Sequence, residues 1–162
     1  MIASPASLCP FVCLLSLLGF TTLSVAQKGP SMHAKGTFEV KLTREAVPGI
    51  PTISRMMLDK TFHGDLAGTS KGEMLGAGDP QKGNAGYVAL EHFTGTLNGR
   101  SGSFALQHSG TMDGGALHLN VNVVPGSGTD DLQGISGSMQ IIIAAGKHSY
   151  EFDYTLPHSA AK

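Results

Sequence analysis

Beyond residue 26 the chain has no cysteine, because its two cysteines, Cys9 and Cys13, both fall in the first 26 residues. The remainder can form no disulfide, hold no thiolate metal site and use no cysteine nucleophile. Tryptophan is absent and charged residues make up only 14% of the chain, with 11 Lys and Arg against 12 Asp and Glu. That balance gives no electrostatic reason to seek nucleic acid or an anionic membrane, so small neutral or apolar ligands fit better. There is no His-x-His pair and no cluster of carboxylates, so no metal ligation is expected, and no motif calls for a cofactor. No long stretch has the apolar period of an amphipathic helix.

What is present is glycine, 22 residues in 162, with strand-forming residues in short alternating runs. The composition favours a single all-β domain. Residues 1–26 contain no charged side chain and include an apolar run from Phe11 to Phe20. They read as a secretory signal peptide, with Ser24-Val25-Ala26 placing cleavage before Gln27. The run is short for a membrane span, so the mature protein is expected to be secreted or periplasmic with no membrane anchor. The leader lacks Lys and Arg, and Met32 offers an alternative start that would leave the protein in the cytoplasm. Residues 27–32 read as a linker, 33–157 as the folded domain and 158–162 as a disordered tail.

The domain is organised around the stretch from Tyr87 to Met112. Asn98-Gly99 is a strong hairpin signal, because both central residues of a type I′ turn need positive φ. Counting outward pairs Leu97 with Arg100, Phe93 with Phe104, Glu91 with Leu106 and Ala89 with His108. One face carries the aromatic pair and the other the hydroxyls of Thr94, Thr96, Ser101 and Ser103, so the aromatic face is buried. Glu91 and His108 then point inward on diagonal positions. Ala34 to Leu42 alternates as a first strand, and Leu117 to Val123 as a sixth. A turn at Ala145-Gly146 pairs Ile143 with His148, Ile141 with Tyr150, Met139 with Phe152 and Gly137 with Tyr154. Residues 53–76 hold two further strands whose bend falls at either His63-Gly64-Asp65 or Ala67-Gly68. Gly76 to Gly86 reads as a mobile glycine-rich loop, and Thr129 to Leu132 as a single helical turn. The total is about eight antiparallel strands in sequential order, a small closed up-and-down barrel, with a two-sheet sandwich as the alternative. Eight strands leave room for packed side chains or one small ligand.

Glu91 and His108 are the candidate acid–base pair, since a buried carboxylate beside an imidazole can tune a general acid or base. The plainer reading makes them satisfied polar groups in a barrel. Tyr87, Phe93, Phe104, Tyr150 and Tyr154 fall on inward faces and are the candidate ligand-contacting residues. Gly68-Thr69-Ser70-Lys71-Gly72 matches G-x-S-x-G, but that motif needs a strand, an elbow and a helix. Another strand is expected to follow here, which makes the match accidental. Leu66, Leu97 and Leu132 each open a Leu-x-Gly-x-Ser echo, which similar turn chemistry explains without a repeat. No outward-facing patch stands out as a dimer surface.

The segments MHAKGTFEVKL (32–42), FHGDLAGTSKGEML (62–75), GYVALEHFTGTLNGRSGSFALQHSGTM (86–112), VVPGSGTDDLQGISGSM (123–139) and GKHSYEFDYTLP (146–157) resemble the bacterial domain-of-unknown-function family 3224 over nearly all of residues 32–157. The resemblance implies an allene-oxide-cyclase-like, calycin-like barrel. Gly128-Thr129-Asp130-Asp131-Leu132 is similar to the Gly-Thr-Gly-x-aromatic segment of cyclases and dirigent proteins, with Asp130 in place of the second glycine and Leu132 in place of the aromatic residue. The family brings no established substrate. Three functions follow as expectations: a barrel that binds a small hydrophobic ligand, a cyclase- or isomerase-like enzyme using Glu91 with His108, or a filled structural barrel.

Overall fold

The computed structural model describes residues 29–157, so the leader and the tail after residue 157 lie outside the described residues. Eight strands, β1 (Ser31–Ala46), β2 (Ile53–Gly64), β3 (Leu66–Asp79), β4 (Asn84–Leu97), β5 (Arg100–Asp113), β6 (Ala116–Val123), β7 (Ser136–Ala144) and β8 (Lys147–Thr155), close in sequential order into one antiparallel barrel. The sandwich alternative is excluded. β1 begins at Ser31, inside the segment read as linker, because Ser31 and Met32 pair with Thr155 and Tyr154 of β8.

The central hairpin has the register that its turn dictates, from Leu97 opposite Arg100 to Ala89 opposite His108. Asn98 and Gly99 take φ of 48° and 79°, and Ala145 and Gly146 at the last hairpin take 49° and 74°. Both are the double left-handed conformation of a type I′ turn, whose twist matches that of the strands it joins. In the ambiguous region the bend falls at Gly64-Asp65. There the Asp65 carboxylate accepts the Lys35 N–H at 2.9 Å, and the Asp65 N–H donates to the Lys35 carbonyl at 3.1 Å. The expected loop from Gly76 to Gly86 is instead mostly strand. β3 runs on to Asp79, whose carboxylate caps a single 3₁₀ turn (Pro80–Lys82) by accepting the Gln81 N–H at 3.0 Å. Glycines there serve close approach rather than mobility: a Cβ on Gly78 would lie 2.5 Å from the Asn84 carbonyl oxygen.

The interior is divided along the barrel axis. At the end holding the β2–β3 and β4–β5 turns, the rings of Phe38, Phe62, Phe93, Phe104, Phe152 and Tyr154 follow one another at centroid distances of 5.1–5.8 Å. The connection from Val124 to Ile135 takes the place of a strand beside the first half of β5. Val124 and Thr129 donate their N–H groups to Ala105 and Ser103 carbonyls, and Ser127 and Thr129 hydroxyls accept the N–H groups of Ala105 and Ser103. Its 3₁₀ turn (Asp130–Leu132) buries Leu132, and Ile135 follows it into the core. Asp130 takes φ of 51°, a left-handed value at the position where the resembled cyclase segment has glycine. The barrel is thinnest between β6 and β7, which pair only at Asn122 and Ser138.

Candidate functional site: a buried ion cluster beneath an open mouth

Above the aromatic floor, four inward polar side chains are buried: Lys60 on β2, Ser70 on β3, Glu91 on β4 and His108 on β5. Strand alternation puts Lys60 on the face of Phe62, and the β2–β3 register sets it opposite Ser70. Gly72 stands opposite Glu91 and contributes no side chain. A Cβ there would meet the Leu90 carbonyl oxygen at 2.2 Å. The Lys60 ammonium donates to Glu91 Oε2 at 2.5 Å, and the Ser70 hydroxyl donates to Oε1. His108 Nε2 lies 3.0 Å from Oε2, out of line for a well-directed hydrogen bond. The ammonium also sits over the Phe38 ring, 4.9 Å from its centroid, where the ring quadrupole favours a cation.

Burial by itself would push the Glu91 carboxyl up. His108, the Lys60 charge and hydrogen bond, and the Ser70 hydroxyl together outweigh it and hold the group at about 2, against an ordinary 4.5. A carboxylate so thoroughly stabilised is a poor base at neutral pH, because proton-transfer efficiency falls as the catalytic group's pKa departs from the working pH. The cluster is therefore chemically quiet: a paired cation and anion sealed into the barrel.

The inward pairing of Glu91 with His108 is as the hairpin register implies. Lys60 and Ser70 were not singled out as site residues, although they make the hydrogen bonds to Glu91. The other candidate residues part company. Phe93 and Phe104 are fully buried in the floor and reach no opening. Tyr150 and Tyr154 also belong to the closed end. The Tyr150 hydroxyl accepts the Leu66 N–H at 2.8 Å, and the Tyr154 hydroxyl accepts from Asn98 Nδ2 at 2.9 Å. These phenols brace the two turns there, and that use leaves them far from the mouth. Only Tyr87 stands at the open end, its ring lying across Gly110, where a Cβ would come within 2.4 Å of it. Burial, and then the Glu91 charge, raise its pKa and keep it neutral.

The end opposite the floor is open. A cavity of about 590 Å³ is walled by Met56, Met74, Met112, Leu117 and Tyr87, with Arg44 and Asp79 also lining it. Leu42, Leu117 and Ile143, which alternation turns inward, are about half or more exposed here, because among the described residues no plug covers this end as Leu132 and Ile135 cover the other. A second cleft, about 660 Å³, lies on the outer surface where Val47, Ile50 and Ile53 flank Leu75 and Val88. That exposed apolar patch was not apparent from the sequence, since it depends on the β1–β2 connection lying beside the outer face of β3 and β4. Lys60, Ser70, Glu91 and His108 face the barrel interior and not this cleft, and the mouth is the candidate site.

Fold and interior together define a closed eight-stranded antiparallel barrel, packed with aromatic rings at one end and open at the other. The chain belongs to the family described as "Protein of unknown function (DUF3224)", whose model matches residues 34–154. A solved structure of a protein of unknown function from that family, from Shewanella oneidensis MR-1, is similar at 46% identity and a TM-score of 0.73. The match covers 81% of this chain and 100% of that one. No curated protein matches the chain.

Proposed function

We propose that the barrel binds one small hydrophobic molecule in its open end. The observation that carries this reading is the methionine- and leucine-walled mouth, concave, apolar and of a volume suited to a small ligand. Thioethers on unbranched side chains adapt to irregular apolar shapes, as at other surfaces that accept varied ligands. The apolar leader makes export part of the same reading. Catalysis by Glu91 is the weaker alternative: the carboxylate that would move a proton is already engaged by Lys60 and Ser70.

The test is titration with an environment-sensitive apolar dye. Saturable binding at one dye per chain is expected, with Met74→Trp abolishing it by filling the mouth while the far-ultraviolet circular dichroism is unchanged. The chain has no tryptophan of its own, so the introduced indole is also a clean reporter. Binding that survives this substitution intact would place the dye elsewhere, the outer cleft included, and remove the proposal.

A further inference from the structure

Two arginines on neighbouring strands are treated in opposite ways. Arg55, on the outer face of β2, is held by Glu73 through hydrogen bonds of 3.0 and 2.7 Å and lies 3.4 Å from Glu45. Arg44, on the inward face of β1, lines the mouth beside its strand partner Met56. No carboxylate lies within ion-pair distance of it among the described residues. The other charged residue lining the mouth, Asp79, is engaged with Lys82 at 3.4 Å and with the Gln81 N–H. Among the described residues, the mouth thus pairs an apolar wall with one guanidinium that has no anion.

We infer that the ligand of the mouth is an apolar molecule bearing a single acidic group, a carboxylate or its equivalent, held at the rim by Arg44 while the apolar body lies against Met56, Met74 and Leu117. This rests on the binding reading above and specifies its chemistry. The orientation follows from where charge is free. Deeper in the interior, the Lys60 ammonium already has its anion in Glu91. At the rim, a guanidinium offers two parallel donors matched to a carboxylate, in a geometry that an ammonium lacks. The cavity reaches down to Met56, Met74, Tyr87 and Gly110, and buried Leu58 and Ala89 close it below. Its volume of about 590 Å³ holds a medium-length alkyl chain or a pair of rings lying along the rim.

The experiment compares decanoate with 1-decanol, which share the chain and differ in the head, by calorimetric titration of the wild type, Arg44→Gln and Arg55→Gln. The wild type is expected to prefer the acid by about tenfold, the scale of one charge-assisted bidentate contact. Arg44→Gln is expected to bring the acid-to-alcohol ratio near one, whereas Arg55→Gln keeps it. Equal affinity of the wild type for acid and alcohol, or a preference that survives Arg44→Gln, would overturn this inference and leave the binding reading standing. If the wild type bound neither compound, the binding reading would fall and this inference with it.

Discussion

Lys60→Met is expected to destabilise the protein by about 3–5 kcal/mol, the usual consequence of stripping a buried charge of its partner. Glu91 is almost wholly inaccessible, and among the described residues Lys60 and His108 alone lie within ion-pair distance of it. With the ammonium gone, burial acts on the carboxyl with less to oppose it, and its pKa rises. Replacing both partners, Lys60→Met with Glu91→Leu, is expected to recover most of the loss, because two apolar side chains of similar size leave no charge to desolvate. Urea denaturation of the wild type, both single variants and the double variant gives the coupling directly. A cost for Lys60→Met of less than about 1 kcal/mol, the range of exposed ion pairs, would mean that the pair is solvated.

The same series carries the pH dependence. Glu91 titrates at about 2 when folded, against an ordinary 4.5, so between those values the unfolded chain holds the extra proton. Stability from this group is fully present above pH 4.5 and is lost as pH falls toward 2. It amounts to about 3 kcal/mol across the window, from the size of the shift. The wild type is expected to weaken over that interval, and the double variant to weaken less by that amount.

Phe93→Ala is expected to cost about 3–5 kcal/mol, whereas Met56→Ala costs about 1 kcal/mol or less. Phe93 is fully buried, its ring 5.7 Å from Phe62 and 5.1 Å from Phe104, so truncation opens a void that its rigid neighbours cannot fill. Met56 lines a mouth already open to solvent, and shortening it widens a space without creating a sealed one. The contrast separates a barrel filled at one end from one filled throughout. Comparable losses at both positions in thermal or urea unfolding would favour the filled structural barrel.

How far the sequence could be read depended on where a turn anchored the register. Asn98-Gly99 and Ala145-Gly146 each demand a type I′ turn, and from them the partners of Glu91, His108, Tyr150 and Tyr154 follow by counting. Between residues 53 and 76 no such anchor exists. Met56-Met57 blurs the alternation, glycine fills several inward positions of β3, and shifting the bend by one residue sends every side chain to the other face. Lys60 and Ser70 were hidden for that reason. Once the bend is set at Gly64-Asp65, Leu58, Lys60 and Phe62 share a face and Ser70 faces Lys60. The Gly68–Gly72 motif is indeed followed by more strand, yet its serine serves Glu91 as a hydrogen-bond donor. Alternation also says nothing about which end of a barrel is closed. That is decided by Leu132 and Ile135, which a connection without strand periodicity carries into the core.

An apolar site at the open end, above a sealed ion pair, can be read from the methyl resonances of ¹³C-labelled methionines during titration with decanoate. Met56, Met74 and Met112 line the mouth, Met139 is buried away from it, and Met57 lies on the opposite face of β2 from Met56. Saturable shifts are expected at the first three, with Met139 and Met57 unmoved. Shifts confined to Met57, or no saturable shift at any methionine, would contradict such a site.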